Sequence, residues 1–382
     1  MLAAAALVVA LAADPAAAQT PATAIGLGYP VQAVDARAAA LGGARTGLLG
    51  GSFGTASPAD LTEFTTSALS VTGAPESVEI RDGNVTDDSG RSRFSVVRAI
   101  LPLDVAVLSL GVRGELDQDW AFSFRDTLST SQGDFPFEER RESDGGLASA
   151  TLEMARAFGP VSVGIGAERM TGSLRQLFSR RFEISVDSAA TAPGRIDEEA
   201  RWSYEGWRLR TGIGVRLDER LRVSGAYVWA GDLTADRASV DDSRTFPMPS
   251  GVEIGASFSP DEDWIVAGSA AWTGWADLSG HLDGEGARDG FNGGGGVEYR
   301  GLELASIPLH VRGGGRYAEL PFSLAGEEPS DERAVTLGLG SQFAGNRASL
   351  DLALEFGSRG DVASTGVEES FRRFLFTMSV RP

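Results

Sequence analysis

From about residue 67 onward, apolar and polar positions alternate one by one along the chain. Ala348, Leu350, Leu352, Leu354 and Phe356 share one face, against Ser349, Asp351, Ala353 and Glu355 on the other. Trp207, Leu209, Ile213, Val215 and Leu217 alternate with Arg208, Arg210, Gly212, Gly214 and Arg216. The same period appears in Val252, Ile254, Ala256 and Phe258 against Glu253, Gly255 and Ser257, and in Val335, Leu337 and Leu339 against Thr336, Gly338 and Gly340. A period of two predicts strands with one greasy face, not helices. Beyond the first residues, no stretch approaches the ~18 consecutive apolar residues of a membrane-spanning helix. Any crossing of a bilayer would be made by strands.

A soluble sandwich also alternates, so the period alone does not choose the solvent. The second face does, being rich in Gly, Ser and Arg, as a wet interior would be. Connections also alternate between short and long, the habit of barrels with short turns on one side and long loops on the other. Short turns are expected near 114–118, 158–160, 218–220, 260–263, 300–302 and 344–346. Long polar loops are expected near 81–90, 131–145, 186–198, 234–246, 278–288, 321–331 and 359–368. Taking 91–113 as one strand, bent or bulged at Pro102, gives fourteen strands and an even number. The prediction is an all-β, transmembrane antiparallel β-barrel of about 14 strands over residues 67–382. Aromatic belts are expected at both bilayer interfaces: Trp120, Phe122, Phe124, Phe258 and Trp264 by the short turns, and Tyr227, Trp229, Trp275 and Phe356 toward the long loops.

The N-terminus reads differently. MLAAAALVVALAADPAAAQT is a short apolar run followed by Ala16-Ala17-Ala18, which predicts a secretory signal over residues 1–18, although no basic residue precedes the apolar core. Composition then narrows the function. The 382 residues carry a formal net charge of −19, and every basic residue other than the two histidines is Arg. An acidic chain without Lys does not suit a nucleic-acid backbone and has no Schiff-base or phosphate-loop lysine. With no Cys there is no disulfide, thiolate metal site or cysteine nucleophile.

Residues 24–66 do not alternate. DARAAALGGARTG at 35–47, containing Gly42 and Gly43, predicts a short helix of small residues and a turn, and Ser57-Pro58-Ala59 leads into the first strand. This segment resembles the N-terminal hatch of the FadL-type long-chain fatty-acid and hydrocarbon transporter family, with Ser57-Pro58-Ala59 in the place of an Asn-Pro-Ala motif. PMPSGVEIGASFSPDEDWIVAGSAAWTGWADL at 247–278 and IPLHVRGGGRYAELPFS at 307–323 are similar to characteristic strand units of that family. The resemblance implies a fourteen-stranded barrel in the cell outer membrane, plugged by 19–66. It implies uptake of long-chain fatty acids or other hydrophobic small molecules, released sideways at a kink in the third strand. The third strand expected here, 119–130, holds no Gly or Pro, so the kink is not carried over. Pro102 is taken as an ordinary strand proline. The implied partners are a hydrophobic ligand, membrane lipid and the barrel-assembly machinery. The last strand alternates through Phe374, Phe376, Met378 and Val380 but ends Arg381-Pro382, where assembly signals usually end on an aromatic residue.

Few residues suggest site chemistry. His281 and His310 have no partner spacing for metal or catalysis, so neither an enzymatic activity nor a metal or cofactor is expected. GFNGGGG at 290–296 lacks the following helix and Lys of a phosphate loop, and predicts a strand in close contact with other backbone or with the plug. Arg208, Arg210, Arg216 and Arg222, all expected to face the interior, could hold a ligand carboxylate or pair with acidic residues of the plug or other strands. Two other functions remain open: a barrel acting as shuttle or anchor for protein partners, and a general diffusion porin.

Overall fold

The structure, a computed structural model, describes residues 26–82, 85–130, 133–183, 194–238, 242–282, 286–304, 307–324 and 330–381. The expected signal segment 1–18 lies outside them. Fourteen antiparallel strands close into one barrel. They are β1 (Ala68–Asp82), β2 (Val85–Pro102), β3 (Val107–Asp117 continued by Trp120–Thr130), β4 (Gly133–Phe158) and β5 (Val161–Phe182). β6 (Ile196–Arg216), β7 (Leu221–Arg237), β8 (Ser243–Pro247 continued by Gly251–Phe258) and β9 (Trp264–Thr273) follow. β10 (Gly290–Leu304), β11 (Ile307–Glu319), β12 (Asp331–Phe343), β13 (Ala348–Gly360) and β14 (Val367–Val380) complete the ring. β14 pairs with β1 from Val367↔Asp82 to Val380↔Leu69, so the sheet has no free outer edge along this seam.

Greasy side chains point outward and charges point inward. Leu209, Ile213, Ile254, Val335, Leu337 and Leu354 are exposed, whereas Arg210, Glu253, Thr336 and Glu355 on the same strands are buried. A water-soluble core would have the reverse arrangement, so the outward band is the face that meets lipid. No helix among the described residues is long and apolar enough to cross a membrane. Phe258 and Trp264 face outward beside short turns, and Tyr227, Trp229 and Phe356 face outward toward the other rim, as expected of two belts. Trp275 is instead buried in an inner apolar cluster.

The strand total agrees with the sequence reading, but two boundaries behind it do not. Pro102 ends β2 and is followed by the turn 103–106, where Leu103 N–H donates to the Ala106 carbonyl at 2.9 Å. The expected turn at 114–118 lies within β3. These two displacements cancel in the count. They also move Trp120, Phe122 and Phe124 to the rim opposite the short turns, with their rings facing inward. Residues 300–302 form a bulge, where the β10–β11 register shifts between Tyr299 and Leu302, and β10 runs on to Leu304.

Residues 26–66 run inside the barrel. Asp35 caps α1 (Ala36–Ala40) by accepting from Ala38 N–H at 2.8 Å. α1 buries its alanines against Ala74, Ala353 and Leu375 of β1, β13 and β14. The following turn needs glycine: Gly42 has φ +67°, and a Cβ there would fall on the carbonyl oxygens of Gly295 and Gly315. The glycine-rich stretches of β10 and β11 thus let the inner backbone lie directly on the wall backbone. A Cβ on Gly294 would strike the Gly42 carbonyl.

Candidate functional site: a cavity beside a break in the wall

Below Val96↔Arg113, β2 and β3 are paired in regular register. Above that pair, β2 continues to residue 85 and β3 to Thr130 with no pairing between them among the described residues. β3 bends off at Gln118–Asp119. Its register against β4 shifts between Gly114 and Leu116, and Gln118 N–H donates to the Gly145 carbonyl at 3.0 Å while Asp119 Oδ1 accepts from Gly145 N–H at 2.6 Å. The glycines that allow this are on neighbouring strands. Gly145 has φ +136°, a Cβ on Gly146 would fall on the Leu116 carbonyl, and one on Gly172 would fall on the Gly146 carbonyl. That is why a search of 119–130 for Gly or Pro finds nothing.

The inner segment occupies the vacated edge of β3. Tyr29 and Pro30 pair with Asp117 and Leu116, and Val31 N–H donates to the Glu115 carbonyl at 2.8 Å. Next to this patch lies a cavity of about 230 Å³. A second interruption, Met248–Ser250 in β8, opens onto it as well. Leu116, Met248, Ala271, Trp275 and Leu320 form its apolar side, continuous with a buried cluster that adds Leu27, Leu147, Met170, Leu233, Phe246, Leu278 and Phe322. Arg45, Arg113, Arg208, Arg210, Glu115 and Glu253 form its polar side.

The four arginines singled out from the sequence separate into two pairs. Arg208 binds Glu115 and lies 2.9 Å from Glu168, and Arg210 lies 3.0 Å from Glu168 and 2.8 Å from the Ala56 carbonyl. Both face the cavity. Arg216 and Arg222 lie away from it and clasp the inner segment. Arg216 reaches Glu63 at 2.5 Å, and Arg222 reaches Asp60 and Glu63 at 2.9 Å each. The turn they hold begins at Ser57-Pro58-Ala59. Ser57 Oγ donates to the Gly225 carbonyl at 3.1 Å and lies 3.0 Å from Ser224 Oγ. Pro58 and Ala59 fit against Gly164 and Gly212, where any Cβ would collide with them. Gly43, next to Gly42, has φ +83° but no close neighbour, so its constraint is backbone conformation alone.

Other inward charges had no distinctive spacing in the sequence, yet they brace the lumen. Glu298 joins Arg37 of α1 at 2.8 Å and Arg312 at 2.6 Å, and Glu253 joins Arg45 at 2.7 Å. Arg359 is fully buried, bound to Glu332 and 3.0 Å from both Glu76 and Glu369. Its guanidinium is 4.4 Å from the centre of the Tyr29 ring and 4.2 Å from that of Phe371. The Tyr29 hydroxyl donates to Glu332 at 2.6 Å. Acidic residues at inward positions of successive strands were the available signal. No group of three His, Cys, Asp or Glu among the described residues could hold a metal.

A closed barrel with lipid-facing greasy walls, an inner plug and a break beside an apolar cavity defines the class: a plugged outer-membrane β-barrel. The architecture is similar to that of solved FadL-type proteins. The Ralstonia pickettii toluene transporter TbuX superposes with a TM-score of 0.62 at 16% identity, covering 92% of this chain and 99% of that one. A Pseudomonas aeruginosa FadL homologue gives 0.59 at 13% identity, covering 94% and 100%. The Pseudomonas putida toluene transporter TodX gives 0.57 at 16% identity, covering 93% and 99%. No protein-family model and no curated protein sequence matches the chain. The likeness is one of fold.

Proposed function

We propose that this barrel is a FadL-type channel that takes up small hydrophobic molecules across an outer membrane. The observation that carries the reading is the position of the cavity: its apolar side abuts the stretch of β3 that has lost its partner strand. An apolar solute entering from outside leaves water for this cavity, gaining ~0.8 kcal/mol per buried methylene. It then leaves between β2 and β3 into lipid, without crossing the charged lumen below. The inner segment fills that lumen, which favours this route over open diffusion.

The cavity, about 230 Å³, is smaller than the ~300–1,000 Å³ of typical drug-sized sites, which supports a compact hydrocarbon such as a single-ring compound. TbuX and TodX are described as toluene transporters. Long-chain fatty acids are the second reading, supported by the excess of arginine around Arg208 and Arg210, which would receive a carboxylate. The test is uptake of labelled toluene and labelled oleate by cells with and without this protein, at concentrations where free diffusion is slow. Toluene uptake should fall several-fold on deletion. Equal uptake of both compounds in both strains refutes the proposal, and a fall confined to oleate transfers it to the fatty-acid reading.

A further inference from the structure

Beneath the break, where β2 and β3 are paired, the inner face of the wall holds a polar pocket that no residue of the cavity lining belongs to. Arg98 of β2 stands across from Gly111 of β3, and Gly111 across from Thr151 of β4; Ser109 stands across from Glu153. Arg98, Ser109, Thr151 and Glu153 are all buried, at most 4% exposed. Arg98 reaches over Gly111, which has no side chain to obstruct it, and its Nη2 lies 2.9 Å from Glu153 Oε2. Arg98 Nε and Nη1, the Ser109 and Thr151 hydroxyls and Glu153 Oε1 find no hydrogen-bond partner among the described residues. Buried polar atoms are nearly always paired, with protein or with ordered water, so a group of them without partners marks a site. The pocket lies between two different neighbours. On the cavity side, Glu168 stands across from Thr151 and lies 2.9 Å from Arg208 and 3.0 Å from Arg210, which border the cavity. On the side of the short turns, the next inward residues after Arg98 and Glu153 are Ile100 and Ala155. They belong to an apolar cluster with Phe53, Leu61 and Phe64 of the inner segment, and the two rings are centred 5.0 Å apart.

The pocket's chemistry selects its ligand. Arg98 only donates hydrogen bonds, a carboxylate such as Glu153 only accepts them, and the two hydroxyls do either. An anion would meet Glu153, a cation would meet Arg98, and the pair together is neutral. The nearest other charges, Arg113 and Glu168, are bound to each other. A small neutral molecule that both donates and accepts is required, and water is that molecule. A buried water makes about three hydrogen bonds, so about two would serve these atoms. We propose that the four side chains hold a file of ordered water, continuing the polar side of the cavity into the crevice between wall and inner segment. Phe53 and Phe64 stopper this file toward the short turns. The barrel thereby has an aqueous path separate from the apolar route between β2 and β3, closed by the two rings. The inference goes beyond the uptake reading and is independent of which hydrophobic molecule the cavity takes.

The water is tested in the wild-type protein, by crystallography at a resolution that shows solvent. Ordered waters bonded to Arg98, Ser109, Thr151 and Glu153 are expected. A pocket in which these groups pair with one another and hold no water overturns the proposal. The stopper is tested by single-channel recording in planar bilayers and by stopped-flow water permeability of proteoliposomes. Phe53→Ala with Phe64→Ala should raise both several-fold above the wild type. Adding Thr151→Leu, which sets an apolar side chain beside Gly111 in the middle of the file, should return both to the wild-type level. No rise in the double variant overturns the assignment of the stopper. A rise that Thr151→Leu leaves intact overturns the file, because the flow then runs elsewhere in the lumen. Neither readout uses a hydrophobic solute, so the uptake proposal stands or falls separately.

Discussion

β4 passes through two regions of the molecule without changing which of its residues point inward. In the lower region Phe158, Met154 and Leu152 face out and are exposed, while Glu153, Thr151 and Ser149 face in and are buried. Beyond Gly145–Gly146 the outward positions are Asp144, Glu142, Arg140 and Glu138, and the inward ones include Glu139, Phe137 and Phe135. β5 and β6 follow suit: Arg175 and Glu199 pair outside at 3.0 Å, while Trp202 packs on the inner apolar cluster. One alternation thus serves two solvents. In the belt, lipid takes the greasy face and the lumen takes the charges. In the collar above, water takes the charges and the interior becomes greasy.

The sharpest way to break this comparison is to remove a charge from each interior. Arg359→Leu removes the cation shared by Glu76, Glu332 and Glu369, leaving Glu76 to Arg373 and Glu332 to Arg316, and should cost ~3–5 kcal/mol of folding free energy in lipid, read from urea unfolding. Next in size is the outer face. Ile213→Arg puts a cation into the belt and should cost ~2–4 kcal/mol, whereas Ser203→Arg, higher on the same strand and exposed, should leave the unfolding midpoint unmoved. If the two behave alike, the assigned bilayer position is wrong. Gly294→Leu drives a side chain into the Gly42 carbonyl and should cost ~1–3 kcal/mol. It should also raise conductance in planar bilayers, because the inner segment is displaced from the wall. The smallest effect is expected in the collar: Arg180 is itself partly exposed, and Arg180→Leu leaves Arg141 still holding Glu139, so the change should cost less than about 1 kcal/mol.

The belt was legible in the sequence because its alternation is simple and its greasy face is long. The collar was not, since a strand that is charged on its outward side resembles a loop. Residues 131–145 read as one for that reason, with Arg140, Glu142 and Asp144 outweighing Phe135 and Phe137. The break in β3 was invisible for a different reason: the residues that permit it, Gly145, Gly146 and Gly172, lie on β4 and β5 and act only across the sheet. Pro102 gave a local signal that was set aside, because treating 114–118 as a turn left no room for another. For the site, alternation placed Arg208, Arg210, Arg216 and Arg222 inside. It could not divide them between cavity and plug, because that depends on where Asp60, Glu63 and Glu168 lie in space.

Every cation that braces the plug against the wall is a guanidinium, because the chain contains no lysine. Guanidinium keeps its proton at any pH a cell envelope meets. Alkaline surroundings therefore have no means of releasing the inner segment by discharging the side chains that tie it to the wall. Loosening of these ties by titration must come from the acid side, through the carboxylates that the guanidinium groups hold.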